Sequence, residues 1–129
     1  AKLVHPERNI VAVTGDAGFM MNSQEIETAM RCRLPIVILI WNDSSYGLIE
    51  WKQMNEFGRE SHVRFSNPDF VKYAEAFGCR GYRVERTQDL PGILREALSN
   101  DTVSIIDCPV DYRENIKLTE QMGNLVCPT

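Results

Sequence analysis

Asp16 and Asp43 stand 27 positions apart, and each closes a short apolar run. The first run reads I-V-A-V-T and ends in G-D-A-G-F; the second reads P-I-V-I-L-I-W and ends in N-D-S-S-Y-G. Two carboxylates brought close together repel, and one is driven neutral unless a cation lies between them. A hard divalent cation relieves this: Mg2+ takes oxygen ligands in near-octahedral geometry, commonly one or two carboxylates with phosphate oxygens and water. Gly15, Ala17 and Gly18 are small enough for main-chain N–H groups to reach a phosphate, and the start of a following helix adds partial positive charge. These residues read as a Mg2+–diphosphate site. Acids and amides after strands also initiate turns and cap helices, so residue types and spacing alone leave both readings open.

The pair is useful only if the fold brings it together. Residues 10–14 and 36–41 are β-branched and apolar enough to predict strands buried on both faces. Between them Ile26, Ala29 and Met30 recur at helical spacing, with Asn22 and Glu25 as a capping pair and the helix running to about Arg33. A strand–helix–strand unit of this kind is right-handed and parallel, so both acidic ends fall on one sheet edge, the edge where open α/β sheets bind ligands. Residues 46–57 predict a helix with Leu48, Ile49 and Trp51 on its apolar side. Asn67-Pro68-Asp69 starts another helix as cap, first-turn proline and first-turn acid, and Gly78 ends it. A third strand follows over 79–84. A helix capped by Thr87 comes next, with Pro91 in its first turn, and then a fourth strand over 103–108, stopped by Pro109. The alternation predicts an α/β fold: a doubly wound parallel sheet with helices on both faces. Residues 1–110 form the domain and 111–129 a polar tail with a short helix near 115–122. Residues 1–4 look like the last turn of a helix, which suggests a fold truncated at its amino-terminal end.

The 129 residues carry a net charge of −4, which gives no footprint for nucleic acid. No apolar run is long enough to span a bilayer, and no leader pattern is present at residues 1–9. Cys32, Cys79, Cys108 and Cys127 follow no zinc or disulfide spacing. They are expected as reduced thiols of a cytoplasmic protein, mostly near the core, with Cys108 buried and inert. Among the other chemically capable side chains, His62 is read as a solvated loop histidine, His5 as inactive, and Glu50 and Lys52 as a solvent-facing pair. Phe19, Met20 and Met21 are read as core or subunit contact, and Trp51 as core or interface.

Gly15-Asp16-Ala17-Gly18-Phe19, then 24 residues from Ala17 to Asn42-Asp43, resembles the two-part motif of thiamine-diphosphate enzymes, usually written GDG and N-N. The wider text, G-F-M-M-N-S-Q-E-I-E-T-A and L-P-I-V-I-L-I-W-N-D-S-S-Y-G-L-I-E-W, is similar to the carboxy-terminal cofactor domain of acetolactate synthases. The W-N-D-x-x-Y wording and the closing D-Y-R-E-N-I-K-L-T-E resemble the catabolic type. The resemblance implies that Asp16 and Asp43 bind Mg2+ through their carboxylates and Ser45 through its main-chain carbonyl, with Asn42 as the alternative ligand one position earlier. It implies that Gly15, Ala17, Gly18, Tyr46 and Gly47 approach the diphosphate through backbone, and that Leu48 and Ile49 line the cavity over the thiazolium and substrate. Two departures matter. Ala17 replaces the third motif glycine and needs a negative φ or a roomy turn. Asp43 replaces an asparagine and adds a negative charge, which makes the site more dependent on metal.

The implied reaction decarboxylates pyruvate and joins the hydroxyethyl unit to a second pyruvate, giving 2-acetolactate. Lys52 stands where anabolic relatives carry the tryptophan that favours a larger second ketoacid, which points to the pyruvate-only type. The glutamate that activates the cofactor belongs to another domain, so the catalytic residue is unknown in this segment. The isolated chain is then expected to be inactive, and the intact protein to be a homodimer or higher homo-oligomer. Two alternatives stand beside this reading: another thiamine-diphosphate-dependent 2-ketoacid decarboxylase or carboligase, and a non-catalytic receiver-like or structural α/β module.

Overall fold

The computed structural model describes residues 1–112. Four parallel strands, β1 (Val11–Gly15), β2 (Val37–Asn42), β3 (Arg80–Arg83) and β4 (Ser104–Pro109), pair in the order β1-β2-β4-β3. The six-residue β4 sits inside the sheet and five of its residues are buried, as an uninterrupted apolar run between covered faces requires. Register sets Gly15 against Trp41, Asn42 against Pro109 and Arg83 against Asp107, so the carboxyl ends of all four strands share one edge.

Among the described residues five α-helices accompany them: α1 (Asp16–Met21), α2 (Glu25–Arg31), α3 (Gly47–Phe57), α4 (Phe70–Ala76) and α5 (Leu90–Ser99). Alternate strand residues feed two cores. Ile40, Val103 and Ile105 meet Phe19 and Ile26 with Phe70 and Ala74, packing α1, α2 and α4 on one face. Val37, Leu39, Ile106 and Cys108 meet Ala97 with Leu90, Ile93 and Leu94, packing α5 on the other. The doubly wound arrangement expected from the alternation is therefore present. Gly81 marks its tightest helix–strand approach, because a Cβ there would come within 2.7 Å of the Val71 carbonyl oxygen on α4.

Several local expectations are corrected. The segment after β1 is two helices: Asp16 opens α1 at once, and Asn22 contributes only its carbonyl, to the Glu25 N–H, with no side-chain cap. β1 is an edge strand, and Val11 (40% exposed) and Val13 (56% exposed) are not covered as a strand buried on both faces would be. α3 buries none of its residues; Leu48 and Ile49 are exposed and Trp51 is half-covered. Thr87 opens a short 3-10 turn, Thr87–Asp89, without capping it, and Pro91 sits in the first turn of α5 as expected. Asp69, not Asn67, caps α4, accepting from the N–H groups of Val71 and Lys72. Gly78 ends that helix with φ of +75°. Residues 1–4 form a turn, with the N–H of Val4 and His5 donating to the Ala1 carbonyl. The predicted tail helix over 115–122 lies outside the described residues. Cys79 and Cys108 are buried, Cys32 is exposed, and Cys127 lies outside the described residues.

Candidate metal and diphosphate site

β1 delivers Asp16 to the sheet edge, where α1 begins on the same residue. Its side chain is 1% exposed. A carboxylate is buried at such a place only if donors surround it, and three N–H groups do. Oδ1 accepts from the Ala17 N–H at 2.8 Å; Oδ2 accepts from the Ser44 N–H at 2.7 Å and from Asn67 Nδ2 at 2.5 Å. The Ser44 bond ties the end of β1 to the turn after β2, so the two sequence stretches do converge. Ser44 takes φ of +56° to make that turn, while its carbonyl accepts the Phe65 N–H at 3.1 Å.

Ala17 lies within α1, so its φ is negative and the replaced motif glycine causes no strain. Gly18 is needed for space: a Cβ there would lie 3.2 Å from Thr14 Oγ1. At Gly47, the first residue of α3, a Cβ would lie 3.0 Å from Asp43 Oδ2. The helix start therefore closes directly on that carboxylate.

Asn42 and Asp43 are used differently. Asn42 engages both ends of its amide: Nδ2 donates to Asp107 Oδ1 at 2.9 Å, and Oδ1 accepts from Asn67 Nδ2 at 2.9 Å. Asp43 Oδ1 accepts the Ser45 N–H at 3.2 Å. Burial holds the Asp43 carboxyl above the ordinary carboxylate range; the Ser45 N–H opposes this, and the charges of Asp16 and Glu50 add to it. Such a half-buried acid facing two others fits a cation. Asn67 Oδ1 is a buried acceptor with no hydrogen-bond partner among the described residues. Two carboxylates and nearby carbonyl oxygens form a hard donor set suited to Mg2+. Among the described residues no group of three or more His, Cys, Asp or Glu side chains is arranged around a common point, so any cation here depends on main-chain and ligand oxygens as well.

The raised Asp43 titration has a consequence for stability. An acid whose folded pKa lies above its unfolded value of about 3.9 stabilises the fold while protonated and loses that contribution as pH rises through the folded value. Asp43→Asn is therefore expected to raise the melting temperature of the metal-free protein at pH 7 slightly. The gap to wild type should close below about pH 4, and thermal scans across this range check it.

Ser45 is buried, and its hydroxyl donates to Glu50, which also pairs with Arg64. Glu50 thus faces the turn, with a side chain only 22% exposed, instead of standing on a solvent face as its helix position suggested. Tyr46 stacks obliquely on Phe65, ring centroids 5.1 Å apart. Leu48 and Ile49 are 71% and 51% exposed on α3. His62 is an exposed loop residue beside Ser61, as read from sequence, and His5 is exposed. Phe19 is core, whereas Met20 and Met21 are exposed. Burial and Asp107 together push the Cys108 thiol upward, keeping it protonated.

Sequence reasoning missed Asn67, Asp107 and Arg83. Asn67-Pro68-Asp69 holds two cap-type residues before one helix; only one can cap, and the other is free for a different task. Asp107 interrupts the apolar run V-S-I-I-D-C, the mark of a buried charge that needs a partner. That partner is Arg83, whose Nη1 donates to Asp107 Oδ2 at 2.8 Å.

A parallel sheet whose carboxyl edge gathers buried acids, amides and small residues defines a ligand-binding α/β domain. Residues 1–108 match the family described as "Thiamine pyrophosphate enzyme, C-terminal TPP binding domain", and the chain belongs to that family. It is 44% identical over 131 residues to the acetolactate synthase of Bacillus subtilis (strain 168), covering 98% of this chain and 23% of that protein. It is 41% identical over 122 residues to the catabolic acetolactate synthase of Raoultella terrigena, covering 95% of this chain and 22% of that protein. Among solved structures, the thiamine diphosphate-dependent 4-hydroxybenzoylformate decarboxylase of Rhodococcus jostii RHA1 aligns with a TM-score of 0.81 at 26% identity, over 88% of this chain and 22% of that one. The chain thus spans under a quarter of the length of these relatives. No helix among the described residues is long and apolar enough to cross a membrane.

Proposed function

We propose that this chain is the thiamine diphosphate- and Mg2+-binding part of an acetolactate synthase that converts pyruvate to 2-acetolactate. The observation that carries the reading is the Asp16–Ser44 hydrogen bond at 2.7 Å, which holds the two motif halves at one sheet edge. When bound, the cofactor supplies the electron sink for loss of carbon dioxide from a 2-ketoacid and for transfer of the remaining two-carbon unit. Asp16, Asp43 and the Ser45 carbonyl would hold Mg2+, with Asn42 kept to its hydrogen bonds. Gly15, Ala17, Gly18, Tyr46 and Gly47 would approach the diphosphate by backbone, and Leu48 and Ile49 would exclude water from the reacting end. The exposed apolar residues of β1 and α3 support a homo-oligomer that covers them. A cytoplasmic setting with reduced cysteines belongs to the same reading.

The structural likeness to a decarboxylase favours a second reading, another thiamine diphosphate-dependent 2-ketoacid decarboxylase or carboligase. Product analysis of the intact protein with pyruvate, thiamine diphosphate and Mg2+ tests both. Acetolactate supports the first reading, free aldehyde without acetolactate the second, and cofactor binding with neither product overturns both as activities on pyruvate.

A further inference from the structure

Arg83 lies on edge strand β3, at the opposite side of the sheet from β1, yet an unbroken series of side-chain hydrogen bonds leads from it to Asp16. Arg83 Nη1 donates to Asp107 Oδ2 (2.8 Å); Asp107 Oδ1 accepts from Asn42 Nδ2 (2.9 Å); Asn42 Oδ1 accepts from Asn67 Nδ2 (2.9 Å); and Asn67 Nδ2 donates to Asp16 Oδ2 (2.5 Å). The direction of every link follows from the first. A guanidinium only donates and a carboxylate only accepts. Asp107 therefore turns the NH2 end of Asn42 toward itself, which leaves the Asn42 oxygen facing Asn67. Asn67 must then point its own NH2 group at Asn42 and Asp16. The orientation leaves Asn67 Oδ1 buried without a hydrogen-bond partner among the described residues, an arrangement that the polar series maintains.

The effect on Asp16 is specific. With Ser44 N–H and Asn67 Nδ2 both on Oδ2, the two lone pairs of that oxygen are occupied, while among the described residues Oδ1 accepts one hydrogen bond, from the Ala17 N–H. We propose that Asn67, oriented from Arg83 and Asp107 through Asn42, is a positioning residue of the metal site that commits Asp16 to the cation through Oδ1. This rests on the reading of Asp16 as a Mg2+ ligand. Asn67 itself touches no cation in this scheme; it fixes the carboxylate that does. Outer-shell partners of metal ligands commonly change metal affinity 10–100-fold when removed.

The test uses Mn2+ as the probe, titrated into the intact protein with thiamine diphosphate and followed by the paramagnetic resonance of free Mn2+. Asn67→Ala and Asp107→Asn are each expected to weaken Mn2+ binding about 10–100-fold. The double variant is expected to lose no more than the weaker-binding single, because both act along one series. Arg83→Gln, at a half-exposed position, gives the same reading should Asp107→Asn fold poorly. Thermal scans of the metal-free proteins separate the effect from general destabilisation: a merely structural role would lower the melting temperature and leave Mn2+ affinity of the folded protein unchanged. Wild-type affinity in folded Asn67→Ala, or additive losses in the double variant, overturns the inference while the metal reading stands. Failure of the wild-type protein to bind Mn2+ overturns the metal reading and the inference with it.

Discussion

Asp16→Ala is expected to abolish Mg2+-dependent binding of thiamine diphosphate and to destabilise the metal-free domain at the same time. Both effects come from one carboxylate. The substitution strips the acceptor from the Ser44 N–H and from Asn67 Nδ2, in a place where the Asp16 side chain is 1% exposed and water cannot readily substitute. Each donor left unpaired costs about 1–3 kcal/mol, so a total of roughly 2–6 kcal/mol is expected. Ser44 adds to the loss, since its left-handed backbone is held in place partly by that bond. Asp16→Asn makes the sharper comparison. It preserves volume, but whichever way the amide turns, its NH2 group meets an N–H donor where a lone pair is needed. Isothermal titration with and without Mg2+, paired with thermal unfolding in their absence, reads both effects. Mg2+-dependent binding by Asp16→Ala within about tenfold of wild type would remove Asp16 from the metal site. Asp43→Asn contrasts with it: that acid faces like charges and accepts one N–H from a neighbouring residue, so its removal relieves the metal-free fold while weakening the metal-bound one.

The contrast between the two acids separates what the sequence conveys from what it conceals. The parallel sheet and its helices follow from periodicity and punctuation, because a strand apolar on both sides and a helix with one apolar face each have a local signature. The convergence of Asp16 with the Asn42–Ser45 turn follows from the handedness of the crossover. Coverage is not local. β1 and β2 are both β-branched and apolar, yet β1 is an edge strand and β2 is interior, and only the strand order decides between them. α3 is similar: Leu48, Ile49 and Trp51 read as its apolar side, yet Leu48 and Ile49 are exposed and Trp51 is half-covered, since nothing among the described residues packs closely over them. The polar series through Asn67 and Asp107 is hidden for a related reason. Its linked members lie 24 to 65 positions apart, and Asn42 and Asn67 each have an ordinary local explanation as a turn or cap residue. Asn67 and Asp69 both suit a helix cap, and their division of labour emerges only once α4 docks beside α1.

That docking is controlled by Phe70, and Phe70→Ala is expected to have the greatest effect on stability of any single truncation in the core. The ring is fully buried and meets Phe19 edge-to-face, centroids 5.6 Å apart with an interplanar angle of 80°. Phe19 also contacts Tyr73 at 6.1 Å, so the pair fastens α1 to α4 at two points. Truncating a buried phenylalanine costs about 3–5 kcal/mol from lost transfer energy and the cavity left behind. Against a total of about 5–15 kcal/mol for a natural domain, this is a large fraction. The denaturation midpoint should fall with the slope unchanged, since the surface exposed on unfolding is nearly the same. The position has a functional side as well. Phe70 is the first residue of α4, Asp69 caps it, and Asn67 lies just before, while Phe19 is three residues past Asp16 on α1. The aromatic contact therefore sets the distance across which Asn67 reaches Asp16. Phe70→Leu, which keeps much of the volume but loses the edge-to-face contact, should fold and show a several-fold weaker Mg2+ affinity at temperatures well below its melting point. Unchanged affinity in folded Phe70→Leu would mean that the polar series holds its geometry without the aromatic pair, and that packing and metal binding are independent in this domain.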